Sequence, residues 1–187
     1  MKEIAFHGIL LATLLLASCQ RTYVVKGTTD AASFKGRQVT LMVPSANGRW
    51  KAVDSCQVTH GTFLMKGVAD STFLATLFVD DTPVMPLFLE SGVMHVNISS
   101  LSLRASGTPL NNKLYDFLGR RYELQERVAE LGRTESQMIM NGVDSKEVSH
   151  YVDSVYNLVT DSLTMLFDGL DPTIRRALSS VSMAFDH

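Results

Sequence analysis

The two cysteines of this sequence, Cys19 and Cys56, are the residues whose neighbours point most directly to chemistry. Cys19 follows Leu16-Ala17-Ser18 at the end of an apolar run from Ile4 to Ala17 that begins after Lys2. Cys56 follows Asp54 and Ser55 in an alternating stretch, with His60 four residues on. A nucleophilic thiol needs a base or cation that lowers its pKa, and His60 is the nearest such residue. The pair His60-Gly61 reads as a tight turn, however, which points the imidazole to solvent. Cys56 therefore reads as structural, with Asp54 and Ser55 as turn or bulge residues.

The other chemistry-bearing residues are dispersed. His60, His95, His150 and His187 show no spacing that suits zinc or copper, so no metal site is expected. Met138 and Met140 could serve as soft copper ligands, but flexible packing is the commoner use of methionine. A glycosidase would need two carboxylates facing across a cleft; Asp80, Asp81 and Glu90 fall at turns and read as solvated. Tyr23 and Trp50 could form a sugar-stacking platform, although a lone tryptophan in an alternating strand more simply belongs to a core. Arg120-Arg121 and Arg175-Arg176 read as wet faces of helices. No catalytic residue and no cofactor is expected.

The leader around Cys19 is more specific. A charged start, a short apolar run and small residues before a cysteine make a secretory signal, and Leu16-Ala17-Ser18-Cys19 is similar to a bacterial lipobox. Peptidase cleavage before Cys19 and acylation of its sulfur would leave a signal peptide of residues 1–18 and a lipid anchor on Cys19. The apolar run is too short for a membrane span, which takes about 20 residues, and His7 and Gly8 interrupt it. The expected address is the cell envelope: a membrane-anchored lipoprotein facing the periplasm, with the outer membrane favoured over the inner. Gln20 and Arg21 alone separate Cys19 from the first predicted strand, so the tether spans on the order of 10 Å.

Bulk properties narrow the classes further. The formal net charge is −2 with both signs dispersed and no Lys/Arg run, so nucleic-acid binding is not expected. With Cys19 acylated, Cys56 has no thiol left to pair with, and stability must come from packing.

The elements that would position these residues change character near Gly107. From Thr22 to Ala105 the apolar residues alternate, as in Val39, Leu41 and Val43, with turns at Ser45-Ala46-Asn47-Gly48, His60-Gly61, Asp80-Asp81-Thr82-Pro83 and Ser91-Gly92. After it, Thr108-Pro109 can start a helix whose stripe (Leu110, Leu114, Phe117, Leu118, Leu124, Val128, Leu131) runs to Gly132. Asp144 with Glu147 forms a capping box before a second stripe from Val148 to Leu166 that Gly169 stops. Asp171-Pro172 opens a third helix toward Met183. The expected fold class is α+β: an antiparallel β-sandwich or open barrel over 19–107, followed by a helical hairpin within an α-helical segment, 108–187.

The strand region resembles a bacterial envelope family, domain-of-unknown-function family 4369. The resemblance rests on Val24-Val25-Lys26-Gly27, Val53-Asp54-Ser55-Cys56, His60-Gly61-Thr62-Phe63 with Lys66-Gly67, Phe88-Leu89-Glu90-Ser91-Gly92, and Ser106-Gly107-Thr108-Pro109-Leu110-Asn111. It spans roughly Thr22 to Leu131. Such domains usually form the N-terminal part of thioredoxin-like lipoproteins, in which a Cys-x-x-Cys pair carries thiol-disulfide exchange. Cys56 has no second free cysteine beside it, so that activity transfers to no residue here. The resemblance implies a non-catalytic accessory or interaction domain, held to the membrane through lipidated Cys19, with another envelope protein as partner. Two alternatives stand beside it: the non-catalytic part of a truncated or split thioredoxin-like oxidoreductase, and a small-ligand or glycan binder using a face of the sandwich.

Overall fold

The computed structural model describes residues 21–45 and 48–185. The leader and the expected lipidation at Cys19 lie outside the described residues. Among the described residues eight strands form two sheets of four. The first sheet runs in the order β4 (Thr62–Val68), β1 (Thr22–Thr29), β7 (Gly92–Ile98), β8 (Leu103–Ser106). The second runs β3 (Trp50–Gln57), β2 (Gln38–Pro44), β5 (Phe73–Val79), β6 (Thr82–Leu89). A short helix, α1 (Ala31–Phe34), lies between β1 and β2. The sheets do not close on each other, so the architecture is the sandwich and not the barrel.

Alternation in sequence becomes alternation in burial. In the first sheet Tyr23, Val25, Phe63, Met65, Met94, Val96 and Ala105 turn inward, while Lys26, Leu64, His95, Asn97 and Arg104 turn out. β5 (FLATLFV) is apolar except for Thr76 and is buried along nearly its whole length, with both faces covered. Leu77 and Val79 enter the core shared by the two sheets; on the other face Phe78 meets Trp50 edge-on, with ring centroids 5.2 Å apart.

One pair departs from the antiparallel expectation. β1 runs parallel to β7, from Tyr23 opposite Gly92 to Thr29 opposite Ile98. The whole second sheet intervenes between these strands in the chain, so nothing obliges them to pair as a hairpin. The turn at His60-Gly61 forms as expected, with φ of 51° and 74° at its two central residues. It carries the chain from one sheet to the other.

Three helices follow: α2 (Pro109–Met140), α3 (Ser145–Asp168) and α4 (Pro172–Phe185). The helix expected to stop at Gly132 continues to Met140. An interior glycine costs only about 1 kcal/mol relative to alanine, and packing against α3 outweighs it. Asp144 caps α3 through Lys146 N–H at 2.9 Å, and Gly169 ends it as expected.

The first turns of α2 close one open side of the sandwich, between edge strands β6 and β8. Leu114, Tyr115 and Phe117 join the common core, as do Leu170 and Ile174 where α3 passes into α4. α2 starts at the end of the sandwich where the chain enters at Arg21, whose carbonyl accepts the Ala69 N–H at 2.8 Å. It runs to the opposite end, where Leu118 and Tyr122 lie beside Pro86 and the β7–β8 turn at Leu101. The stretch 123–140, about 27 Å of helix, continues past that end and packs along α3. The result is a sandwich with a projecting two-helix hairpin.

Candidate functional site

The residues that carry the family resemblance gather at the joint between sandwich and α2. Glu90, read from sequence as a solvated turn carboxylate, is buried. Its Oε1 accepts the backbone N–H groups of Leu110 at 2.9 Å and Asn111 at 3.2 Å, so it satisfies orphan donors at the N-terminus of α2 and meets the positive end of the helix dipole. That corrects the reading, and it corrects the role of Thr108 as well. The Thr108 hydroxyl makes no bond to the helix backbone and instead accepts from Asn111 Nδ2 at 2.8 Å.

Asn111 is fully buried. Its Oδ1 accepts from Phe88 N at 2.9 Å and its Nδ2 donates to Phe88 O at 2.8 Å. One amide side chain thereby takes the place of a neighbouring strand. One turn on, the Tyr115 hydroxyl donates to Pro86 O at 2.8 Å. β6 is an edge strand, as its two prolines require, and these side chains occupy its free backbone groups. Gly107, at φ 97°, lets the joint close: a Cβ there would stand 2.5 Å from the Val93 carbonyl oxygen.

The remaining motif glycines have a second structural task. Gly27 sits opposite Phe63 and Gly67 opposite Tyr23 on the β1–β4 ladder. A Cβ on Gly27 would fall inside the Phe63 ring, and one on Gly67 would lie 2.5 Å from the Tyr23 hydroxyl oxygen. Each ring folds over a bare backbone, an arrangement that pins strand register. The Tyr23 hydroxyl then donates to Asp54 Oδ2 across the sheets at 3.2 Å. Burial, and secondarily the Asp54 charge, pushes its pKa up to about 12.

Residues 23–114 match the model of DUF4369, a domain of unknown function. This segment belongs to that family. No protein of the curated set matches the chain. The DUF4369 match runs past the last strand to Leu114, and so takes in the whole Glu90–Asn111 joint.

The expected site residues stay apart within and beside the DUF4369 domain. Cys56 is half-buried against the core; burial, with the Asp54 carboxylate adding to it, pushes its thiol pKa up, the reverse of an activated thiolate. His60 is exposed at its turn. Among the described residues no three His, Cys, Asp or Glu side chains cluster in a way that could hold a metal. Asp80 binds Arg37 at 2.8 Å and the Gln38 N–H at 3.0 Å, which holds its carboxyl below the usual range. Tyr23 is buried and Trp50 packs on Phe78, so the two form no platform. No described helix is long and apolar enough to cross a membrane.

Two surfaces remain. One is a groove of about 840 Å³ on the outer face of the first sheet, bordered by Lys26, Thr28, His95, Asn97, Arg104 and Ser106, with Cys56 of β3 also lining it. The other is the hairpin. Of the fifteen large apolar side chains exposed among the described residues, nine lie on α2 and α3, including Ile139, Met140, Tyr156, Leu158 and Met165.

Proposed function

We propose that this protein is a non-enzymatic lipoprotein of the cell envelope in which the DUF4369 sandwich is a base and the α2–α3 hairpin docks another envelope protein. The observation that carries this reading is the concentration of exposed apolar side chains on the hairpin. Tyr151, Leu158 and Met165 recur every seven residues along one flank of α3, and Tyr156 and Phe167 lie on the other. The apolar arc is about twice as wide as one packing partner covers; its middle is buried at Val148 and Val159, Phe117 of α2 meets Phe167 at one end, and the rest stays exposed. Exposed apolar surface on this scale marks an interaction site.

The address supports the same reading. An acylated Cys19 would hold the Arg21 end of the sandwich at the headgroups, since the linker is only Gln20 and Arg21. The hairpin leaves the opposite end, so its tip stands away from the membrane. Two or more acyl chains would make the attachment stable. By resemblance, the partner class is a thioredoxin-like envelope protein, which would supply the redox chemistry this chain does not carry on Cys56.

Affinity capture of the lipidated protein from its own membrane tests the proposal. A specific partner that is lost with Leu158→Glu and Met165→Glu supports it; capture that ignores both variants defeats it. Cys19→Ala should release the chain into soluble fractions. Turnover in a thiol-disulfide exchange assay above that of a free cysteine would contradict the non-enzymatic reading.

A further inference from the structure

We propose that the outer face of the β4-β1-β7-β8 sheet is a binding site for an acidic oligosaccharide, with Lys26 and Arg104 holding its carboxylate or phosphate groups. Register places the polar side chains in two adjacent rows. Lys26 stands opposite His95, and His95 opposite Ser106. In the next row Thr28 stands opposite Asn97, and Asn97 opposite Arg104. Neighbouring strands are about 4.8 Å apart, so both cations and the amide, imidazole and hydroxyl groups fall within the span of two or three sugar rings.

Three features set this groove apart from an ordinary wet sheet face. No carboxylate borders it, although the chain as a whole has a formal charge of −2. Its cations remain available: Lys26 makes no ion pair among the described residues, and the Arg104 bond to Asp116 at 2.9 Å engages one of the guanidinium's five donors. The imidazole is also positioned, because Gly107 beside it has no side chain; a Cβ there would stand 3.1 Å from His95 Cδ2. The lining is mixed: Leu64 is the exposed aliphatic, and Thr28, His95, Asn97 and Ser106 supply hydroxyl, imidazole and amide groups. A sugar offers both hydroxyl groups and an apolar ring face to such a lining, and the Lys26 charge together with the free donors of Arg104 selects one that also carries anions.

The groove lies on the sandwich, and the proposal does not depend on the hairpin's docking role. The test is a titration of the full chain in detergent micelles, at low salt, with tetragalacturonate, neutral maltotetraose and inorganic phosphate. Amide resonances of Lys26, Thr28, His95, Asn97 and Arg104 provide the readout. Tetragalacturonate should shift all five and bind more tightly than either other probe, and added salt should weaken it. Lys26→Gln and Arg104→Gln should each weaken binding about tenfold, the loss expected for one charge-assisted contact. Leu158→Glu should leave it unchanged, which separates this site from the hairpin. Equal binding of phosphate and tetragalacturonate would overturn the sugar assignment. No shift at these residues, or binding that survives both glutamine variants together, would overturn the site.

Discussion

The sandwich joint and the hairpin are built by opposite rules. At the joint, Glu90, Thr108 and Asn111 are buried polar groups, and their bonds run to each other and to backbone. Along the hairpin the long helices leave Ile139, Met140, Leu158 and Met165 more than half exposed. A buried polar network is worth keeping only when its members are satisfied, so the joint reads as an answer to a folding problem. Apolar side chains kept in water contribute little to the fold of this chain, and the proposed docking role is what would give them a task. The family signature falls on the first region, which explains why recognising DUF4369 says more about shape than about activity.

The sharpest way to break this contrast is Asn111→Ala. It strands the N–H and C=O of Phe88, at about 1–3 kcal/mol for each buried group. Urea denaturation should show a loss of about 4 kcal/mol; a loss within experimental error would mean that the joint is ornamental. Next comes Gly27→Ala, which forces the Phe63 ring aside and should cost about 3 kcal/mol. Adding Phe63→Leu should restore part of that, and the double-mutant cycle measures the coupling directly.

A pH series sharpens the sandwich side. The folded pKa of Tyr23 lies at about 12, above the ordinary value of 10.0, and burial raises Tyr115 as well. Well below pH 10 both tyrosines are protonated in either state, and their contribution to stability is fully present. As pH rises from 10 to 12 the unfolded chain releases protons that the folded chain retains, so stability falls. Tyr23→Phe should flatten part of that fall in alkaline denaturation curves. A curve unchanged by the substitution would remove Tyr23 from the account.

The smallest expected effect is on the hairpin. Leu158→Glu and Met165→Glu should each change unfolding free energy by no more than about 0.5 kcal/mol, because both positions are largely exposed. A loss of several kcal/mol would show that the stripe packs within the chain, and the contrast with the joint would collapse.

Strand positions were legible because alternation of period two and of period 3.6 is a property of residues near one another. The turn at His60-Gly61, the cap at Asp144 and the stop at Gly169 were legible for the same reason. Glu90 was not. A carboxylate beside Ser91-Gly92 has the local signature of a wet turn, and only its approach to Leu110 and Asn111, twenty residues away, makes it a cap. Gly27 and Gly67 carried a signal, since glycine inside an alternating strand marks a close approach, but which ring approaches is a matter of register. The groove was still less visible: Lys26 is far in the chain from His95 and Arg104, and the parallel pairing of β1 with β7 is what sets Lys26 beside His95.

Sequence alone determined that alternating strands precede three long helices, and it carries the expectation of a lipid anchor at Cys19 that would leave Cys56 without a partner thiol. Each depends on residue type and short spacing, which the chain carries before it folds. Tertiary structure decided which polar side chains close the joint, which cations share a sheet face, and how far the hairpin extends past the sandwich. Those follow from contacts between distant segments, and their free energy is realised only when the two sheets and α2 come together.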